Sequence, residues 1–237
     1  MNCNSIWDRF DFIAVVSFTG HAKTRHKDLE VSLERAGLLP RTQFFWDFST
    51  PYMAKAHAVM RTRHIATPGL LDCTFCHYRI AKTAYELGAS SVLVMEDDVR
   101  FASDLSLLSA AVDSLPADFD IAKFEWFFGR AETPAQRRSL APAPGSLWAP
   151  MYGHRIVGDA CTAFSRKGLE WRIRTLESGV DGVLRCCDMY YRPGYLGKDL
   201  NALVSTPLVA VQGDMKESMN ALSKAYDDRY RLPCGYE

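Results

Sequence analysis

The run SVLVM at residues 91–95 passes directly into three acids, Glu96, Asp97 and Asp98, and this junction constrains the fold more than any other feature of the chain. A strand with one wet face alternates apolar and polar residues, whereas this one does not, so it reads as covered on both faces. Such a strand needs helices above and below it. Residues 74–87 carry a helical pattern stopped by Gly88, and Ser103 opens another that runs to residue 115. Upstream, residues 12–18 (FIAVVSF) read as a first buried strand. Residues 23–37 follow as a helix with Leu29, Leu33 and Ala36 on one face and Gly37 as its stop. Residues 43–48 (QFFWDF) predict a second strand, and residues 51–62 a helix with proline in its first turn. Downstream, residues 119–126 (FDIAKFEW), 161–164 and 208–212 read as strands. Ser165 caps a helix over residues 166–176, and residues 183–191 read as helical. Strands alternating with helices predict an α/β fold, with a mostly parallel central sheet flanked by helices.

A chain of 237 residues is long enough for one domain with a sizeable core, and a single domain over 1–237 is the expectation. Residues 132–150 hold four prolines and much alanine and read as a flexible loop, placed to act as a lid. Lysine plus arginine equals aspartate plus glutamate, 28 each, which argues against a nucleic-acid binder working by bulk charge. Seven cysteines are an odd number and too few for a disulfide scaffold, so they read as free thiols in a reducing compartment. The first residues carry acids ahead of a short apolar run, unlike an export signal, and no apolar run reaches the roughly 18–20 residues of a membrane span. A cytoplasmic protein is the expectation.

The acidic triplet lies where an open α/β sheet binds its ligands, beyond the carboxyl end of a strand. In extended backbone, Glu96 and Asp98 would point one way and Asp97 the other. Hard carboxylate oxygens suit Mg²⁺ or Mn²⁺, with substrate phosphates completing the shell. The bland alternative is a solvated acidic turn. A second motif precedes the strand: Cys73-Thr74-Phe75-Cys76-His77 has the spelling of a haem attachment site, C-x-x-C-H, although haem attachment needs export. The same residues, joined by Cys186 or Cys187, have the ligand types of a structural zinc site. The plainer reading makes Cys73 and Cys76 small apolar residues that pack the start of a helix.

Read together, C-x-x-C-H at a helix start and Met95-Glu96-Asp97-Asp98-Val99-Arg100-Phe101 one helix and strand later resemble glycosyltransferase family 25. This is the group of lipooligosaccharide-type galactosyltransferases, which are similar to the procollagen galactosyltransferases. The family's C-x-x-S-H has its serine replaced here by Cys76. Residues 13–18 with Arg25, residues 158–167 (GDACTAFSRK), Cys187-Asp188-Met189-Tyr190-Tyr191 and residues 207–212 resemble further family segments in the same order. The resemblance implies a GT-A-like nucleotide-sugar-binding fold, with a nucleotide-binding half over 12–126 and an acceptor and catalytic half over 151–212. It implies an inverting transfer of a hexose, galactose above all, from a UDP-sugar to a cell-surface glycan such as lipooligosaccharide. The implied cofactor is Mn²⁺ or Mg²⁺, held by Asp98 and Glu96. The implied contacts to the nucleotide sugar are Asp97, Arg25, Thr19 and His77. A glycolipid acceptor would bring the protein to the inner membrane face as a peripheral visitor.

Transfer also needs a general base opposite the leaving group. Asp188 in CCDMYYRP is the candidate, with aromatics suited to a sugar ring; the alternative is an ordinary helix carboxylate over packed Tyr190 and Tyr191. Asp159 and Asp181 are reserves. His154, Gln212 and Asp214 are candidates for a second cation contact, and Trp126, Trp148 and Tyr152 either face a sugar or fill the core. Two other classes stay open: a nucleotidyltransferase or phosphohydrolase using the same acids, and a zinc-stabilised binding module without catalysis.

Overall fold

The computed structural model describes residues 6–17, 22–46, 68–101, 105–128, 133–178 and 198–213. Strand β1 (Phe12–Ser17) is buried along its whole length, and β3 (Ser91–Glu96) along its middle four residues. They pair in parallel, and β2 (Thr42–Trp46) lies parallel to β1 on the outer side. Helix α1 (Ala22–Arg35) links β1 to β2, and α2 (Pro68–Glu86) precedes β3. Past β3 a short strand β4 (Val99–Phe101) leads to α3 (Leu105–Asp113), then to β5 (Ile121–Lys123) and β6 (Phe127–Phe128). Helix α4 (Pro134–Ser139), β7 (Trp148–Pro150), β8 (Ile156–Val157), β9 (Cys161–Ser165), α5 (Arg166–Ser178), β10 (Ala202–Ser205) and β11 (Ala210–Gln212) complete the described elements. The central sheet has seven strands in the order β2-β1-β3-β9-β5-β10-β7. Pairing directions set five of the seven, β2, β1, β3, β5 and β10, running one way, with β9 and β7 opposed. This is the mostly parallel α/β arrangement expected from the alternation of strands and helices.

Both sheet faces are buried, as the unbroken apolar strands require. Phe12, Ala14, Val16, Val92 and Val94 face α2 and α5 through Ile80, Ala84, Leu169 and Ile173. Ile13, Val15, Leu93 and Met95 face α1 and α3 through Leu29, Leu33, Leu108 and Val112. Helix α2 stops where the sequence places its stop. Gly88 has φ of +81°, and Ala89 N–H donates to the Ala84 carbonyl, a turn that a Cβ would strain. Ser165 caps α5 as expected, its Oγ accepting from Gly168 N–H at 3.2 Å.

Several expectations are revised. Helix α2 begins at Pro68 rather than at residue 74, because proline is tolerated in a first turn and Gly69 does not break it. C-x-x-C-H therefore lies inside the helix and does not open it. The strand expected over residues 119–126 contracts to Ile121–Lys123, after which the backbone leaves the ladder. Residues 132–150 contain a helix and a strand where a loop was expected. Thr133 and Gln136 form a reciprocal capping box at the start of α4. Strand β7 pairs antiparallel with β10 at the sheet edge, where Pro150 is tolerated. The helices expected at 51–62 and 183–191 and the cap at Ser103 lie outside the described residues. Among the described residues no helix is long and apolar enough to cross a membrane.

Gly168 sits where α5 meets the start of β5, and a Cβ there would collide with the Asp120 carbonyl oxygen. Gly168→Ala is expected to destabilise by about 1–3 kcal/mol through forced backbone displacement. That lowers Tm by roughly 2–10 °C for a chain of this size, read by thermal unfolding. An unchanged Tm would overturn this packing account.

Candidate functional site

Strands β1, β3 and β5 run in the same direction and end at the same edge of the sheet. Register places Val16 of β1 beside Glu96, and Lys123 of β5 beside Thr162 of the opposed strand β9. Strand β9 enters from that edge, so Asp159 and Ala160 arrive next to the end of β3, and Glu96 N–H donates to the Ala160 carbonyl at 2.9 Å. Chain direction alone thus gathers Ser17, the acidic triplet, Lys123, Glu125 and Asp159.

The strand stops at Glu96, and Asp97 and Asp98 form a turn into β4. The extended alternation expected of the triplet is therefore lost. Glu96 turns toward α2, where its Oε1 lies 3.0 Å from His77 Nε2 and accepts from the Cys73 thiol at 3.5 Å. Asp97 and Asp98 both face Arg25, whose Nη1 stands 3.4 Å from Asp97 Oδ1 and 3.7 Å from Asp98 Oδ2. Ser17 Oγ donates to Asp97 Oδ2 at 3.5 Å, and Gln212 Nε2 donates to Asp98 Oδ2 at 3.0 Å. Gln212 reaches the turn because β11 pairs antiparallel with β4, and Gly213 N–H closes the pair on the Asp98 carbonyl at 2.6 Å.

Among the described residues, the buried Asp98 Oδ1 has no hydrogen-bond partner. Burial, then the charge of Glu96, push the Asp98 carboxyl up to about 7, with Arg25 and Gln212 opposing and Asp97 adding to the rise. A carboxylate with one buried, unpaired oxygen among other carboxylates fits a hard divalent cation, which would both coordinate the oxygen and relieve the repulsion.

Beneath this turn lies a buried ionic network centred on Asp159. Its Oδ2 accepts from Arg172 Nη2 at 2.8 Å, and its Oδ1 accepts from Thr162 Oγ1 at 2.9 Å and faces Lys123 Nζ at 3.4 Å. His77 Nδ1 is 3.8 Å from the same carboxylate. Burial alone would raise the Asp159 carboxyl, but Arg172 and Lys123, helped by His77, hold it far below the usual carboxylate range. So acidic a group is a poor proton acceptor, and this reserve candidate for the base is instead a structural counter-ion. Glu125 behaves in the opposite way. It is 3% exposed and accepts from Ala160 N–H at 3.1 Å. Burial, opposed by Lys123, pushes its carboxyl up to about 8. Gly158 has φ of +95°, a conformation that favours glycine, and a Cβ there would stand 2.7 Å from Glu125 Oε2.

The structure thus brings Arg25, His77, Glu96, Asp97, Asp98 and Gln212 to one end of the sheet. Thr19, Asp181, Asp188, Asp214, Cys186 and Cys187 lie outside the described residues. Trp126 and Trp148 are buried core residues whose indole N–H groups donate to the carbonyls of Ser205 and Ala111. Tyr152 is exposed, beneath Lys198 Nζ at 4.0 Å from its ring centre. His154 is buried near Phe128, 6.3 Å between ring centres. Sequence reasoning missed Lys123, Glu125 and Arg172. The available signal was Lys123 and Glu125, charged residues inside the run 119–126 that read as a strand.

No family model matches the chain. The chain does resemble glycosyltransferase family 25. It is 30% identical over 102 residues to the human protein named inactive glycosyltransferase 25 family member 3. That match covers 39% of this chain and only 17% of the relative's own length. Two solved structures overlap more of the chain at lower identity. A glycosyltransferase involved in glycosylation of the major capsid of PBCV-1 gives a TM-score of 0.49 at 10% identity, over 91% of this chain and 98% of that one. The galactosyltransferase LgtC, in complex with donor and acceptor sugar analogues, gives 0.43 at 11% identity, over 86% of this chain and 87% of that one. Neither overlap is close enough to carry a conclusion about activity.

The raised carboxyl of Glu125 has a consequence for stability. Its folded value lies above the unfolded one, so its contribution is full below the unfolded value near 4.5 and is lost as pH rises toward about 8. Glu125→Gln keeps the shape without the ionisation. Relative to wild type, its Tm is expected to match below pH 4.5 and to rise by several degrees by pH 8. A constant difference between the two proteins across this range would refute the buried neutral carboxyl.

Proposed function

We propose that the chain is a glycosyltransferase that moves a hexose from a nucleotide sugar to a glycan acceptor, with a divalent cation held at Asp98. The observation that carries this reading is the unpartnered, buried Asp98 Oδ1 at the carboxyl end of β3, in the acidic motif that resembles family 25. Bound Mn²⁺ or Mg²⁺ would neutralise charge developing on the departing nucleoside diphosphate. In this reading Asp98 is the main protein ligand, Glu96 borders the site, and Asp97 is held in place by Arg25 and Ser17. His77 is buried behind Glu96, which it meets at 3.0 Å. Asp188 is the proposed base, since Asp159 is held too acidic for that work and Glu125 carries its proton at neutral pH. UDP-galactose is the proposed donor, and a lipid-linked surface oligosaccharide such as lipooligosaccharide the proposed acceptor, reached by a protein of the cytoplasm that touches the inner membrane face. The transfer is proposed to invert the anomeric centre.

One finding favours a second reading, in which the donor site persists without turnover: the matching human relative bears the word inactive in its name. The two readings differ in product: transfer releases a nucleoside diphosphate, whereas a site without turnover releases none.

Thermal unfolding with a panel of nucleotide sugars, with and without Mn²⁺, tests binding. At a hundred times Kd the native state gains about 2.7 kcal/mol, roughly 5–10 °C in Tm for this chain length. The expected result is a shift with one nucleotide sugar plus cation that Asp98→Asn abolishes, together with release of nucleoside diphosphate when acceptor glycan is added. A shift without release supports the non-catalytic reading, and no shift with any nucleotide sugar removes the donor site.

A further inference from the structure

Cys73 and His77 occupy positions i and i+4 of α2, so their side chains leave the helix on the same face. Glu96 meets them from the end of β3. Its Oε1 is 3.0 Å from His77 Nε2 and 3.5 Å from Cys73 Sγ, and the three donor atoms all lie within 4.8 Å of one another. Bonds of about 2.0 Å to nitrogen or oxygen and about 2.3 Å to sulfur, at tetrahedral angles, hold neighbouring donors roughly 3.3–3.5 Å apart. Two edges of such a tetrahedron are therefore already nearly formed. On the far side of the imidazole, His77 Nδ1 faces Asp159 Oδ2 at 3.8 Å, longer than a hydrogen bond, and Asp159 is pinned by Arg172, Lys123 and Thr162. A carboxylate on that side of the ring is the group that, on closer approach, orients a metal-binding histidine.

We infer that Cys73, His77 and Glu96 form a binding site for a borderline-soft divalent cation, zinc being the best match. The donor set decides the class of cation. Thiolate and imidazole favour zinc over magnesium or manganese, which take oxygen donors such as those at Asp98. Three protein ligands leave a fourth position for water or an anionic oxygen. The approach to that position is past Glu96, whose side chain keeps 16% of its exposure. The site differs from the zinc set suggested by C-x-x-C-H. Cys76 points elsewhere, its thiol directed to the Trp46 carbonyl at 3.8 Å, and Glu96 takes its place. The site stands independently of sugar transfer.

The test is titration of the metal-stripped full chain with Co²⁺, followed by displacement with Zn²⁺. One equivalent of cobalt is expected to give a thiolate-to-cobalt charge-transfer band in the near ultraviolet and the intense visible bands of tetrahedral geometry. Cys73→Ser removes the near-ultraviolet band, Glu96→Gln lowers cobalt affinity by about 10-fold or more, and Asp98→Asn leaves the band in place. In the wild-type chain zinc also slows alkylation of Cys73 by iodoacetamide, read by peptide mass spectrometry, which decides the matter even where a variant fails to fold. A band that survives Cys73→Ser, cobalt bound without a thiolate band, or zinc that leaves Cys73 fully reactive would each overturn the site. None of these results bears on the nucleotide-sugar shift, so the two readings fail separately.

Discussion

The buried charge of Asp159 holds the ligand-binding end of the sheet together. Its carboxylate receives Arg172 from α5, Lys123 from β5 and Thr162 from β9, and it faces His77 from α2. Four elements thus converge on one side chain that is itself 2% exposed. A charge so deep costs several kcal/mol in lost hydration, and only well-placed counter-ions and hydrogen bonds offset that cost. Two cations against one carboxylate leave an excess of positive charge, and Lys123 spreads part of it by also donating to the Gly158 carbonyl. Neutralising Asp159 alone would strand two buried cations, so the position tolerates little change whatever the protein does.

The surrounding carboxyl groups are sorted by how fully they are compensated. Asp97 has Arg25 and Ser17. Glu125 has one backbone N–H and stays neutral to about 8. Asp98 lies between them, with Gln212 and a distant Arg25 on one oxygen and, among the described residues, no hydrogen-bond partner on the other. An incompletely compensated carboxylate oxygen, buried beside other carboxylates, is the kind of atom a ligand position needs.

Much of the fold was legible because its central strands are buried on both faces. VLVM cannot sit half-exposed, Gly88 has no better use than to end α2, and Ser165 immediately before an amphipathic run is a cap. The short strands were not legible. Trp148–Pro150 and Ala202–Ser205 exist because they pair with each other across some fifty residues of sequence, and three or four residues carry too little period to announce that. Lys123, Glu125 and Arg172 were hidden for a related reason. A charge inside a strand or helix reads as a solvated position until its counter-ion is known, and here the counter-ion comes from a distant element. The acidic triplet was placed correctly at a strand end, but its directions were misread, because nothing in VLVMEDDVRF tells where extension gives way to a turn.

That turn is what allows three consecutive acids to serve different partners. Glu96 is the last residue in register with β1, opposite Val16, so its side chain is fixed by the sheet and meets α2. Asp97 and Asp98 are beyond the ladder, and the chain is recaptured only when β11 pairs with β4 and Gly213 N–H reaches the Asp98 carbonyl. Had the strand continued two residues further, Asp98 would share a face with Glu96, and the carboxylates would compete for one ligand. Ending the ladder at Glu96 instead directs one acid toward thiol and imidazole and leaves another among oxygen and guanidinium groups. Soft and hard donor sets are thereby separated within three residues of backbone, by the position of a single turn.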